Sequence, residues 1–363
     1  EQNRKRMVSG KMKRKESLRN SNPASKKQDE VPWDLFDRCI LPVIFSHGAA
    51  IILSFVLNVL RISQVSSFTL FILFLILSLG TTIFYHNLTV TAAGKAVLIT
   101  GCETRMSSVL AKQLDELGFT VFAAFSDLSE ESQALKDECS GRLKIIQLNP
   151  TSEKQLQEAY QFVKNNLPQN APGLWALINN NCWAAFGEVE WVPLQVYERA
   201  ADYNLFIILL IGRIINVSSL AGKVASPVRS PFCSMKFALE AFSECLRLEL
   251  KKWGVDVALI LSCLTFLGPG LKRKKTSTTK RMWQEMSDDS KADYGEDYFE
   301  YKVRTLPEYR SNQTDLTPTV RSLVDSVTRT FPMARYTPVT KQEKLQAFVA
   351  EHLPRSVYDI LYS

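Results

Sequence analysis

The chain has 363 residues, 46% of them apolar and 22% charged, which is enough apolar material for a sizeable core. Its net charge of +7 is concentrated at one end, because residues 1–38 hold eleven Lys/Arg against six Asp/Glu; the remainder is close to neutral and implies no nucleic-acid surface. Seven cysteines without a C-x-x-C pair argue against a disulfide framework, and three well-separated histidines (His47, His86, His352) argue against a metal site.

Residues 1–38 read as a basic, polar tail, with too few large apolar side chains to offset the entropy of ordering. Two uncharged runs follow within 39–86: "CILPVIFSHGAAIILSFVLNVL" (39–60) and "FTLFILFLILSLGTTIFY" (68–85). Each is long enough to cross a hydrocarbon core of about 30 Å as a helix. The connector "RISQVSS" carries one positive charge against eleven in the tail, which places the tail and everything after residue 86 on the cytosolic side. On that reading the sequon Asn87-Leu88-Thr89 faces the cytosol and stays unmodified. The bland alternatives are a pair of buried core helices or a cleaved signal.

From residue 92 onward the rhythm changes. Short apolar strands "AVLIT" (96–100), "FTVFAAF" (119–125), "RLKIIQLN" (142–149), "LWALINN" (174–180), "RIINVSS" (213–219) and "VDVALILS" (255–262) alternate with helical stretches such as "SVLAKQLDELG" (108–118). This alternation predicts a Rossmann-like, doubly wound parallel sheet of the α/β class, preceded by the membrane hairpin. Segment 270–316 is polar, charged and aromatic, and reads as a helical lid or insertion. The amphipathic end "KLQAFVAEHLPRSVYDILYS" suits a membrane surface and packing on the domain equally well.

The turn after "AVLIT", the "INN" at 178–180, the "NVSS" at 216–219 and the helix "SPFCSMKFALEAFSECLRLEL" (230–250) occur in an order that resembles the short-chain dehydrogenase/reductase family. Within that family the likeness is to the group of D-beta-hydroxybutyrate dehydrogenase, retinol dehydrogenases and membrane-bound hydroxysteroid dehydrogenases. The resemblance covers roughly residues 95–363 and implies hydride transfer between NAD or NADP and an alcohol or ketone. Carried over residue by residue, it implies a substrate-binding serine at Ser219, a lysine at Lys236 that also holds the cofactor ribose, and a relay asparagine at Asn204. The cofactor side falls on Thr100, Gly101, Arg105, Ser107, Asn149, Asn179 and Lys236.

The family's catalytic tyrosine would stand thirteen residues after Ser219, and that position is Phe232. Other departures fall on the cofactor. The turn Thr-Gly-x-x-x-Gly-x-Gly has Arg105 and Ser107 at two glycine positions, Asn-Asn-Ala-Gly ends in Cys182, and Ser262-Cys263 replaces Pro-Gly. Where many NAD-preferring members place an acid after the second strand, this chain has Phe125, with Asp127 two residues on. The crossover before Gly212 is shortened to "LFIILLI" (205–211), which removes surface that normally serves a homodimer.

The expectation is therefore a membrane-anchored family member, impaired in catalysis and doubtful in NAD(P) binding, that acts through a hydrophobic small-molecule ligand or a partner. The alternative is a working oxidoreductase on a sterol, steroid, retinoid or hydroxy-acid substrate. The endoplasmic reticulum is the expected membrane and the mitochondrion the alternative.

Overall fold

The computed structural model describes residues 33–181, 189, 192–205, 212–225, 228–262, 282–305 and 315–362. The calls on the tail before residue 33, on Cys182, on Cys263 and on residues 206–211 lie outside these. The chain divides into two compact units, Glu1–Leu88 and Thr89–Ser363.

In the first unit, α1 (Trp33–Val59) and α2 (Ser67–Asn87) pack against each other. Each contains a 21-residue apolar span of mean hydropathy 2.2, about 30 Å of helix at 1.5 Å per residue. Few side chains in these spans are buried; Phe45, Ile52, Phe55, Ile76 and Leu77 are more than 60% exposed, a surface that suits lipid and not water. Polar contacts pin the pair together where small side chains meet. Ser46 Oγ lies 3.0 Å from Ser78 Oγ, Ser54 Oγ donates to Val65 O at 3.0 Å, and His47 meets Phe71 edge to face.

The second unit is built on a seven-stranded, wholly parallel sheet in the order β3-β2-β1-β4-β5-β6-β7. Its strands are β1 (Ala96–Thr100), β2 (Thr120–Phe125), β3 (Leu143–Gln147), β4 (Ala176–Asn179), β5 (Arg213–Ser219), β6 (Asp256–Ser262) and the short β7 (Arg335–Tyr336). The helices between them are α3 (Arg105–Glu116), α4 (Glu130–Glu138), α5 (Glu153–Asn165), α6 (Leu194–Leu205) and α7 (Ser230–Leu250). Alternate strand residues feed two cores. Val97, Ile99, Val121 and Ala123 pack with Leu110 and Leu114 of α3 on one face, and Ala96, Leu98, Phe122 and Ala124 pack with Ala159 and Val163 of α5 on the other. Burial on both faces is why these strands read as unbroken apolar runs.

β4 and β5 pair in parallel, with Leu177 opposite Ile214 and Asn179 opposite Asn216, an arrangement that requires a crossover connection. Part of segment 270–316 is described. It contains α8 (Asp288–Tyr294) and α9 (Glu296–Thr305), and Met282, Met286 and Phe299 pack with Val192, Tyr197 of α6 and Met235 of α7. After α10 (Thr317–Thr328), the chain ends in α11 (Lys341–His352) and α12 (Arg355–Tyr362). Ala347 of α11 packs on Leu220 and Val224, and Lys223 pairs with Glu351, while Ile360 and Leu361 stay exposed.

Candidate active site

In a sheet of this order the connections leave β1 and β4 in opposite directions, and the crevice at their carboxyl ends is where ligands of such folds bind. The turn at 101–104 occupies this edge. Gly101 has φ +66°, and a Cβ there would come 2.8 Å from both Asn180 O and Asn181 Oδ1. Thr104 caps α3 by accepting from Ser107 N–H, and the other N–H groups of that first turn lack helical acceptors.

Ser107 is fully buried, and its hydroxyl turns inward to Gly101 O at 3.1 Å and Thr104 O at 2.8 Å. The side chain that replaces a family glycine is therefore spent inside the turn. Arg105 is exposed at the first position of α3. Burial, and after it the charge of Glu103, push the Cys102 thiol well above its ordinary range, so the turn offers no reactive thiolate.

Of the two adjacent asparagines, Asn180 holds the turn. Its Nδ2 donates to Gly101 O at 3.0 Å and to Thr104 Oγ1 at 3.3 Å, while its N–H donates to Thr100 Oγ1 at 3.3 Å. Asn179, the one picked out by sequence, points the other way along the sheet and donates to Asn216 Oδ1 at 2.8 Å. Asn216 Nδ2 in turn donates to Ser243 Oγ at 2.9 Å, so the amide pair ties β4 and β5 to α7. Asn149 sits past the end of β3 and accepts from Thr151 N–H and Oγ–H, a local turn contact.

Lys236 and Phe232 occupy one face of α7 one turn apart, each only 2% exposed. Lys236 Nζ donates to Val217 O at 3.2 Å and lies 5.7 Å from the centroid of the Phe232 ring. Ser219, at the end of β5, accepts from Ala221 N–H at 3.3 Å and so caps the short turn Leu220–Gly222. One helical turn beyond Lys236, Glu240 accepts from Arg335 Nη1 of β7. Burial holds the Glu240 carboxyl above the usual carboxylate range, against the pull of Arg335 and Lys223. Asn204 falls within α6, and its side chain lies outside the described residues.

The fold and site thus bring Thr100, Gly101 and Ser107 to one strand-turn-helix, and Ser219, Phe232 and Lys236 to the end of β5 and the start of α7. Residues 95–275 match the short chain dehydrogenase family model. Rat mitochondrial D-beta-hydroxybutyrate dehydrogenase (Rattus norvegicus) is 34% identical over 295 residues, covering 75% of this chain and 84% of that protein. Mouse estradiol 17-beta-dehydrogenase 2 (Mus musculus) is 31% identical over 289 residues, 73% of each chain. A crystal structure of a short-chain dehydrogenase from Streptomyces avermitilis shares the fold with a TM-score of 0.52 at 18% identity, over 74% of this chain and 96% of that one. The chain belongs to the short-chain dehydrogenase/reductase family.

Gly101→Ala is expected to open the turn, because it adds a φ penalty to a backbone clash. We expect a loss of about 1–3 kcal/mol. Thermal melts of Gly101→Ala and Gly94→Ala check this. Gly94 has φ +74° with nothing within 4 Å of an added Cβ, so it reports the backbone penalty alone. Equal melting points for the two variants would remove the close approach to Asn180 from the explanation.

Proposed function

We propose that this chain is a membrane-anchored short-chain dehydrogenase/reductase that holds a nicotinamide dinucleotide, transfers hydride slowly, and acts chiefly by binding a hydrophobic ligand or a partner. The observation that carries this reading is the buried Phe232–Lys236 pair, in which the side chain beside the ammonium has no proton to give.

Lys236 supports the dinucleotide. An ammonium has three donors, and this one, almost wholly buried, has a single acceptor among the described residues, Val217 O. Ribose hydroxyls at that place would complete it, and the first turn of α3 with exposed Arg105 would face the pyrophosphate. A nicotinamide, when bound, supplies or takes the hydride. Ser219 would orient the substrate oxygen. With phenylalanine at 232, the proton must come from solvent or from a serine hydroxyl, both poor acids at neutral pH, which costs about 10²–10⁴ in rate.

The anchor reading is supported by the two apolar spans, and the cytosolic placement of the domain by the basic tail. The endoplasmic reticulum is the membrane we favour, with the mitochondrion as the alternative in view of the rat relative's name. The relatives' names also set the first substrates to try, a small hydroxy acid and a steroid alcohol.

The test uses the full chain in detergent micelles. NADH and NADPH binding are followed by quenching of its six tryptophans, and turnover is measured with NAD+ or NADP+ on D-beta-hydroxybutyrate and on estradiol. Saturable binding with turnover below about 0.1 s⁻¹ is expected, against an ordinary enzymatic range of about 1–10³ s⁻¹. Turnover inside that range would sink the impaired reading. A folded chain that binds neither dinucleotide would sink the cofactor reading.

A further inference from the structure

In a wholly parallel sheet every strand begins at one edge and ends at the other. The cleft described above lies at the carboxyl edge, and the amino edge takes no part in it. The chain arrives at the amino edge straight from the second apolar span. α2 ends at Asn87, and Thr89 already bridges to Arg329, while Val90 N–H donates to Thr328 O at 2.7 Å. Thr328 ends α10 on the way into β7, and Arg213 at the start of β5 donates to the carbonyls of Ser326 and Arg329 beside it. Leu88 is the only residue between the end of the span and this attachment.

Beside the attachment the edge exposes aromatic rings and cations. Phe331, two residues past Arg329, is 50% exposed. The turn Lys251–Trp253 leads into β6, the strand paired with β7. Gly254 closes that turn with φ +68° and donates to Lys251 O at 3.1 Å, which leaves Trp253 73% exposed. Lys252 Nζ lies 5.6 Å from the centroid of the Trp253 ring, and neither Lys251 nor Lys252 meets an acid among the described residues. Of the acids near them in sequence, Asp256 is paired with Arg213, which leaves exposed Glu249 against two ammonium groups. An indole, apolar in body and polar at its tip, with ammonium groups next to it suits the headgroup layer of a bilayer.

We propose that the amino edge of the sheet rests on anionic headgroups of the membrane that holds the hairpin, through Trp253, Phe331, Lys251 and Lys252, so that the cleft opens away from lipid. The assignment rests on the anchor reading above. The rival surface is α12, whose Ile360 and Leu361 are exposed. It belongs to the opposite edge, because Ala347 of α11 and Tyr358 of α12 pack on Leu220 and Val224, just past the carboxyl end of β5. One flat surface cannot take both edges.

The test reconstitutes the full chain in phosphatidylcholine vesicles, with and without phosphatidylserine, that carry a nitroxide-headgroup lipid as quencher. The emission of Trp253 is the difference between the wild type and Trp253→Phe. Phe348→Trp, on the exposed side of α11, reports the carboxyl edge in the same way. Trp253 emission is expected to be quenched by the lipid, more so with phosphatidylserine, and the emission added by Phe348→Trp to be quenched by acrylamide in the water instead. Replacing Lys251 and Lys252 together by Glu should shift the docked-to-undocked ratio on phosphatidylserine by about 30-fold or more, two cations at about 1 kcal/mol each. Lipid quenching at Phe348→Trp, with or without Trp253, or at neither position, overturns this assignment alone. So does Trp253 quenching that ignores both phosphatidylserine and the two Lys→Glu changes. A chain that washes off the vesicles in alkaline carbonate overturns the anchor reading and the assignment with it.

Discussion

Phe232→Tyr is expected to raise hydride transfer by about 10²–10⁴, the range a positioned general acid contributes. The ring that would carry the new hydroxyl is already in place: it is 2% exposed on the first turns of α7, and Lys236 Nζ lies 5.7 Å from its centroid. An ammonium so close favours the ionised phenol and lowers its pKa toward neutrality. The ammonium also offers a hydrogen-bond partner, so the hydroxyl need not be buried unpaired. The dissociation constant of the dinucleotide should stay within about twofold, since the substitution adds no contact on the phosphate side. Single-turnover rates of the two proteins at saturating dinucleotide decide it. Unchanged rates with unchanged binding would mean that the missing phenol is not what limits this site.

The second large effect is on stability. Arg213→Met is expected to cost about 3–5 kcal/mol, as breaking a buried hydrogen-bonded charge does. Arg213 opens β5 and is 2% exposed. Its Nη1 donates to Ser326 O, Val327 O and Arg329 O at 2.8, 3.0 and 2.9 Å, and its Nη2 donates to Asp256 Oδ2 at 2.8 Å. These carbonyls belong to the end of α10 and the residue after it, where a helix leaves its last carbonyls without intrahelical donors. One guanidinium therefore caps α10, pairs with the start of β6 and lies 5.0 Å over the Trp175 ring, whose Nε1 donates to Val327 O as well. A methionine fills similar volume and takes this donor from Ser326 O and Arg329 O, while Val327 O keeps Trp175 Nε1. Lys95→Met is the control, because Lys95 also lies over Trp175 but its Nζ is bonded, among the described residues, to Thr91 O alone in an exposed setting, and it should shift stability by no more than about 0.5 kcal/mol. Urea unfolding followed by far-ultraviolet circular dichroism measures both, and a loss below about 1 kcal/mol for Arg213→Met would show the cap to be dispensable.

The sheet was legible because parallel strands buried on both faces leave unbroken apolar runs, and the hairpin because two uncharged stretches of this length have few other uses. Ser219, Phe232 and Lys236 were legible because they are local: a strand end, then a helix on which a spacing of four fixes a common face. The rest was not legible, for identifiable reasons. At the end of β4, neighbouring residues point to opposite sides, so sequence does not reveal that Asn180 bonds the turn while Asn179 bonds Asn216. Ser107 reads as a lost glycine because sequence does not reveal that its hydroxyl folds back on Gly101 O. Arg213 acts across more than a hundred residues, and no periodicity records such contacts.

Lys236 is buried with Val217 O as its acceptor among the described residues. Under the proposed function, a bound dinucleotide would offer that ammonium further oxygens and so favour the folded domain. A small molecule that binds only the native chain draws the folding equilibrium toward it by mass action, about 2.7 kcal/mol at a hundredfold excess over its dissociation constant. Turnover is not needed for this. On the proposed reading, the level of folded protein would follow the concentration of such a ligand.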